Sequence, residues 1–191
     1  PFTYPAGRIR IPNDSKSRAG GVLYSDYSLG RFFAEAARQP WFENTIFLVT
    51  ADHCASSAGR TEIPLQKYHI PALILAPGLI EPGVVDGIVS QIDLMPTLLS
   101  LLNMSYDSHF YGRSIFDPAY VNRAFIATYQ DLGYLEGDTF TILSPVRRFE
   151  QSRVVPTEEN PHHLEAMERK DAVQVDRAIG YYQTSCKWNK R

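Results

Sequence analysis

An aspartate and a histidine stand side by side just after a short apolar run of the sequence. The run, residues 45–50, is rich in β-branched and aromatic residues and carries no charge, which predicts a strand buried on both faces. Asp52 and His53 follow it. Ligands of open α/β sheets bind beyond the carboxyl ends of the strands, so we expect this pair to face the ligand cleft.

The chemistry of the pair is that of a metal site. A carboxylate oxygen beside an imidazole nitrogen suits Zn, Mn or Fe. Metal ligands converge, so we expect the metal-binding atoms of Asp52 and His53 to lie within about 6 Å of each other. Spacing alone also fits a helix-capping Asp beside a hydrogen-bonded His, which is the more common origin of such a dipeptide.

Three further residues near the pair are candidates for binding. Cys54 is either a reactive thiol beside a metal or a small buried residue. Arg60, in a loop rich in Ser and Gly, offers paired donors to phosphate or sulfate oxygens, or is simply solvated. His69 precedes the second apolar run together with Lys67, where it contacts an oxyanion or serves as a structural histidine.

Other polar residues have simpler explanations. Asp93 stands at the start of a predicted helix and is expected to cap it. Arg113 is expected to anchor a loop. His162 and His163 lie in a polar stretch and are expected at the surface.

The elements that position these residues follow from apolar periodicity. The spacing predicts helices over residues 24–38 and 93–103, and a second buried strand over 70–76. Helices that alternate with apolar strands favour a mostly parallel sheet flanked by helices, here a partial α/β/α sandwich. Short β-like stretches over 124–149 predict a small antiparallel C-terminal subdomain, and 164–187 is expected to form a closing helix. We therefore divide the chain into an α/β part, residues 1–122, and a small antiparallel sheet plus closing helix of the same domain, residues 123–191.

Composition excludes several functional classes. The chain has 191 residues, 44% hydrophobic and 21% charged, with a formal net charge of -2, so no general attraction to nucleic acid is expected. No apolar run reaches the ~18 residues of a transmembrane helix, and the fragment itself is expected to be soluble.

The two cysteines, Cys54 and Cys186, are expected to be unbonded to each other. Because the sequence opens at Pro1 without Met, we expect a piece of a longer protein.

Several motifs occur in a familiar order. They are YSDYSLGRFFAEA, WFENTIFLVTADHCASSAG, KYHIPALILAPG, VSQIDLMPTLLSLL and YGRSIF, which together span residues 24–116, with a weaker likeness in AIGYYQTSCKW near the end. This order resembles the C-terminal half of the sulfatase-like catalytic domain of the alkaline phosphatase superfamily. The nearest group is the lipoteichoic acid synthases and phosphoglycerol transferases.

The resemblance implies a site and its cofactor. It carries the metal-ligand role over to Asp52 and His53, with a divalent metal such as Mn, Zn, Mg or Ca. It places a Thr, Ser or formylglycine nucleophile and a further acidic ligand upstream of Pro1, so the catalytic nucleophile is not identified in this chain. Cys54 stands where most such sequences have Gly. Arg60 and His69 remain candidate substrate-binding residues.

The resemblance also implies a function. We expect part of a metal-dependent phosphoryl or sulfuryl ester hydrolase or transferase, with phosphoglycerol or phosphoethanolamine transfer at the cell envelope favoured, on the extracytoplasmic face of the membrane. The partner would be an anionic ester, either a phospholipid headgroup or a sulfated compound. The alternatives are a sulfate ester hydrolase and a catalytically inactive binding module with the same fold. The isolated piece is expected to be inactive and to self-associate.

Overall fold

The computed structural model describes residues 2–54 and 63–188. By contact, the chain divides into two compact units, Pro1–Leu48 with Ile74–Glu81, and Val49–Leu73 with Pro82–Arg191. The helices are α1 (Arg18–Ala36), α2 (Leu94–Leu101) and α3 (Ala172–Trp188). The strands are β1 (Phe47–Thr50), β2 (Ala72–Leu75), β3 (Arg123–Ala127), β4 (Leu132–Glu136), β5 (Thr139–Ser144), β6 (Arg148–Val154) and β7 (Leu164–Ala166).

The strands form two sheets. β1 and β2 make a two-stranded sheet, and β3 to β7 make a five-stranded sheet in chain order. All four pairings of the larger sheet are antiparallel, in keeping with connections that are shorter than the dozen or so residues of a parallel crossover. The predicted α/β class with an antiparallel C-terminal sheet is confirmed. Within the described residues this antiparallel sheet is the larger of the two, and it begins at Arg123, while the division of the chain after residue 122 stays a prediction.

In the first unit, α1 begins six residues earlier than its apolar spacing predicts. Ser17 caps it by accepting the Gly20 N–H at 3.1 Å. The Tyr4 hydroxyl packs against the bare Cα of Gly20, where an added Cβ would stand 2.2 Å from that oxygen. Gly20 and Gly21 lie inside α1, and their lack of side chains allows Tyr4 and Phe2 to approach the helix closely.

The aromatic residues of the first unit gather around Phe47. Phe33 and Phe42 each place their ring centroids 5.4 Å from that of Phe47, with Phe32 and Trp41 slightly farther away. The edge-on arrangement of Phe33 is the favoured geometry for such pairs. β1 is nevertheless half-buried throughout, not buried on both faces as its composition predicts, since β2 is its one neighbour among the described strands.

In the second unit, the core lies against the antiparallel sheet. Phe140 is fully buried at its centre, and Leu135 is its register partner on β4. Gly133 allows this packing, because a Cβ there would stand 2.8 Å from the Phe140 ring. The remaining buried members of the cluster are Ile63, Leu65 and Ile126.

The predicted closing helix is too long at its start. Leu164–Ala166 forms β7, in which Leu164 pairs with Val154 of β6. The helix begins only after Asp171, whose carboxylate accepts the Gln174 N–H at 3.1 Å. Helical periodicity in this short stretch is overridden by pairing with the edge of the sheet.

Candidate functional site

Asp52 and His53 lie in the bend that directly follows β1. Their side chains are 86% and 73% exposed in the described structure. Thr50 ends the strand and ties it to the segment before β2, because its Oγ1 donates to the Pro71 carbonyl at 3.1 Å. The sheet thus delivers both side chains to a position where a ligand can reach them.

The two side chains converge on each other. Asp52 Oδ2 lies 3.4 Å from His53 Nε2, within the distance expected of shared metal ligands. The other carboxylate oxygen, Oδ1, accepts the His53 backbone N–H at 2.9 Å. One oxygen of the carboxylate therefore fixes its rotamer, and the other stays directed at the imidazole.

The histidine tautomer follows from its second contact. His53 Nδ1 lies 2.8 Å from the carbonyl oxygen of Cys54. A carbonyl can only accept, so Nδ1 carries a proton; in the neutral ring this is the tautomer whose Nε2, beside Asp52 Oδ2, has the lone pair that a metal binds. A backbone carbonyl that holds the other ring nitrogen is the usual support of a metal-ligating histidine.

The donor set fits a divalent metal, but only as part of a site. An imidazole nitrogen and a carboxylate oxygen 3.4 Å apart are donors of the type that Zn or Mn binds. Among residues 2–54 and 63–188, no group of three or more His, Cys, Asp or Glu side chains is placed to hold a metal ion. Zinc sites in proteins use about three or four protein ligands, so the pair needs further ligands from outside the described residues.

Gln91 holds the loop that carries the pair. Its Nε2 donates to the carbonyl of Ala51 at 2.9 Å and to that of Asp52 at 3.2 Å. Gln91 belongs to a 3₁₀ turn, Gln91–Asp93, that leads into α2. No local signal in the sequence points to this residue, because nothing marks a glutamine 39 positions away as a neighbour of Asp52.

The two cysteines are free and differ in environment. Cys54 is buried and Cys186 is exposed, and neither is in a disulfide. The prediction that they are not bonded to each other is confirmed. The burial of Cys54 agrees with its interpretation as a small buried residue.

The structure places His69 beside another histidine. Its ring meets that of His162 edge-on, with centroids 5.4 Å apart. Burial, together with the charge of His69, lowers the pKa of His162 below its ordinary value. The polar stretch around His162 predicts that it lies at the surface, but His162 is half-buried in this contact. Arg60, the other candidate substrate-binding residue, lies outside the described residues.

The role of Asp93 differs from the expected helix cap, because its side chain makes no capping bond to α2. It forms a capping box with Ser90 in the 3₁₀ turn that precedes α2. Its carboxylate also accepts the Arg113 backbone N–H at 2.9 Å, the Tyr120 hydroxyl at 2.8 Å and the Arg123 guanidinium at 2.9 Å. Arg113 thus anchors its loop through its backbone. Burial and the Asp93 carboxylate together raise the pKa of Tyr120, which keeps that hydroxyl a donor.

Among these residues, only Ser90 and Asp93 form a pattern that local sequence can reveal. A Ser followed three positions later by Asp, before an apolar run, is a helix-start signature, and Ser90-x-x-Asp93 matches it. Arg123 had none, because it stands 30 positions from Asp93 in an unrelated strand.

A shallow cleft of ≈ 390 Å³ lies elsewhere in the second unit, between α3 and the antiparallel sheet. Its lining includes three tyrosines, Tyr111, Tyr134 and Tyr181, and the ion pair between Arg177 and Glu136. Burial and the hydrogen bond to Glu136 raise the pKa of Tyr134, one of its lining residues. Neither Asp52 nor His53 belongs to this cleft as the structure describes it.

Comparison with known proteins gives a consistent result. The family model described as Sulfatase matches residues 5–104. The chain is 30% identical over 107 residues to a protein named arylsulfatase from Clostridium perfringens (strain 13 / Type A), a match that covers 51% of this chain and 22% of that protein.

Solved structures agree with this likeness. A protein in the alkaline phosphatase superfamily from Vibrio parahaemolyticus is 31% identical, with a TM-score of 0.80 over 95% of this chain and 46% of that one. Ps i-CgsB, 18% identical with a TM-score of 0.60, shares the fold over 98% of this chain and 47% of its own. The chain thus spans less than half the length of each of these proteins. Separately, none of the helices described is long and apolar enough to cross a membrane.

Proposed function

The chain belongs to the sulfatase family, and on that premise we propose that Asp52 and His53 supply two ligands of a divalent metal in an enzyme that hydrolyses or transfers an anionic sulfate or phosphate ester. The observation that carries the proposal is the convergence of Asp52 Oδ2 and His53 Nε2, 3.4 Å apart. The Cys54 carbonyl supports it by holding the imidazole in the tautomer that a metal needs.

Within this proposal, Asp52 and His53 have defined tasks. When bound, the metal lowers the pKa of the attacking hydroxyl and neutralises charge that develops on the ester oxygens. Asp52 contributes negative charge that favours the cation, and His53 contributes a neutral nitrogen ligand. The attacking hydroxyl and the remaining acidic ligand are proposed to come from a segment outside this chain, as the family resemblance implies.

Two substrate classes are supported by different observations. The likeness to a protein named arylsulfatase favours a sulfate ester. The order of motifs along residues 24–116 favours transfer of phosphoglycerol or phosphoethanolamine, on the extracytoplasmic face of a membrane. Both substrates present a tetrahedral anionic group, and Arg60 and His69 are proposed to bind its oxygens.

The experiment uses the intact protein that contains this chain. Asp52→Asn and His53→Gln are each expected to lower turnover of an aryl sulfate or an aryl phosphate by more than about 100-fold. Mutation of residues that only hydrogen-bond to metal ligands already lowers metal affinity or activity by about 10–100-fold. Bound metal per chain, measured by elemental analysis, should fall in parallel. Asp86→Asn, at an exposed aspartate, is the matched control and should leave both quantities unchanged. Full activity and metal content in both site variants would overturn the proposal.

The same measurements separate the alternatives. The ratio of kcat/KM for the aryl sulfate to that for the aryl phosphate identifies the favoured ester, and release of glycerol phosphate from a phosphatidylglycerol vesicle tests the transferase. If the intact protein binds metal and turns over none of these substrates, the inactive binding module becomes the better proposal.

A further inference from the structure

One side-chain amide bridges two consecutive carbonyls in the candidate site. Gln91 Nε2 donates to the Ala51 carbonyl at 2.9 Å and to the Asp52 carbonyl at 3.2 Å. A terminal amide nitrogen has two N–H groups, enough to donate to both of these neighbouring peptides. The two peptide planes on either side of the Asp52 Cα are thereby held by a single group that comes from another part of the chain.

We infer that Gln91 is a positioning residue, which sets the direction of the Asp52 and His53 side chains for metal binding; this inference rests on the function proposed above. Both side chains are largely exposed, so surrounding side chains do not confine them. Their direction then depends on the backbone of the bend, and a rotation of the Asp52 peptide would move both Cβ atoms. Displacements of about 1 Å are enough to cost large factors in rate.

The turn that carries Gln91 is well suited to this task because it is fixed from within. The Ser90 N–H donates to Asp93 Oδ2 at 3.0 Å, and the Asp93 N–H donates to the Ser90 carbonyl at 2.9 Å. Asp93 is fully buried and held by Arg123 of β3. Gln91 therefore projects from a rigid turn, and its hold on the loop transmits that rigidity to the candidate ligands.

The turn is also held from its other side. A Cβ at Gly112 would stand 2.0 Å from the Ile92 carbonyl oxygen, so the backbone there lies directly against the turn. The next residue, Arg113, donates its N–H to Asp93. The position of Gln91 is thus determined by contacts with two distant segments of the chain, around residue 112 and at β3.

The test compares variants of the intact protein in Mn²⁺ binding. Gln91→Met keeps the length of the side chain and removes both donors, and it should weaken Mn²⁺ binding by roughly tenfold, the lower end of the effect of groups that support metal ligands. Gln91→Glu replaces the donors by an acceptor that faces two carbonyls, and should weaken it further. Gln183→Met, at an exposed position of α3, is the matched control and should bind Mn²⁺ as the unaltered protein does.

Two further readouts distinguish positioning from a loss of folding. In metal-free protein, the amides of residues 50–54 should exchange hydrogen faster in Gln91→Met, while the thermal midpoint stays unchanged. Turnover by Gln91→Met should recover when Mn²⁺ is raised above its weakened dissociation constant. Unaltered Mn²⁺ affinity and unaltered exchange in Gln91→Met would overturn the inference.

Failure of the proposed function gives a different result. If Asp52→Asn retains full Mn²⁺ binding, the metal role of the pair is wrong, and the metal part of this inference falls with it. If Asp52→Asn loses Mn²⁺ while Gln91→Met does not, the proposed function stands and only the positioning role is overturned.

Discussion

Arg123 Nη1 lies 2.9 Å from Asp93 Oδ2, and the two side chains are 4% and 0% exposed. The guanidinium also donates to Asp93 Oδ1 and to the Tyr111 carbonyl. Burial disfavours the charge of Arg123, yet its bonds to Asp93 hold its pKa above the ordinary value, so the guanidinium stays charged. This pair joins the first strand of the antiparallel sheet to the turn that precedes α2.

Removal of the Arg123 guanidinium is expected to destabilise the fold, because its partner Asp93 is fully buried. Arg123→Met leaves a buried carboxylate without its counter-ion and should lower the free energy of unfolding by about 3 kcal/mol, measured by urea denaturation. The matched control is Arg177→Met, which breaks the exposed ion pair with Glu136 and should cost less than about 1 kcal/mol. Equal losses in the two variants would contradict the importance of burial.

Gly112 is expected to tolerate no side chain. Gly112→Ala places a Cβ 2.0 Å from the Ile92 carbonyl oxygen, a backbone atom that cannot move without shifting the turn before α2. We expect a loss of at least about 2 kcal/mol. Gly180→Ala is the opposite case, since nothing lies within 4 Å of its added Cβ inside α3, and it should gain about 0.5–1 kcal/mol. Thermal melts of both variants test the pair of expectations.

The contact of His162 with His69 predicts a dependence of stability on pH. Burial first, and the charge of His69 second, lower the pKa of His162 from its ordinary 6.5. The unfolded chain then binds more protons than the folded one between the lowered pKa and 6.5, so stability is complete above that window and falls as pH drops through it. His162→Gln should reduce the change in unfolding free energy between pH 7 and pH 5. His163→Gln, at the exposed neighbour, should leave that pH dependence unchanged.

The thiols should react in two classes. Cys186 is exposed and should react with Ellman's reagent in the native chain, whereas buried Cys54 should react only after denaturation. Cys186→Ser should remove the fast reaction and leave one thiol in denaturant. A count of zero thiols in the unreduced, denatured chain would contradict the structure.

The isolated 191-residue chain should bind Mn²⁺ or Zn²⁺ weakly and turn over neither an aryl sulfate nor an aryl phosphate. The two proposed ligands among the described residues fall short of the about three or four that a zinc site uses. Catalytic residues that act as a unit lose nearly all of the rate when one is removed. Calorimetry and colorimetric assays test this. Metal-dependent turnover by the isolated chain, abolished in Asp52→Ala, would mean that the nucleophile lies within it.

The features predicted correctly from the sequence are local ones. The strand that ends at Thr50, the helix after Asp93 and the antiparallel sheet after residue 122 each follow from periodicity and turn residues within a dozen positions. The errors also have a physical cause. β7 was expected to be helical, and its state is decided by pairing with β6.

The sequence by itself determined that Asp52 and His53 are adjacent, that they follow a strand, and that the chain carries the ordered motifs of its family. Only the tertiary structure decided what holds them: the Gln91 amide 39 positions away from Asp52, the Cys54 carbonyl that sets the His53 tautomer, and the buried Asp93–Arg123 pair. Periodicity records which face of an element is apolar, and it carries no information on which distant polar groups meet. The meeting of Asp93 and Arg123 is selected by the cost of leaving a buried charge without a partner, a cost that exists only once the chain has folded. The exposed Gln91 bonds follow from where the folded turn places the amide.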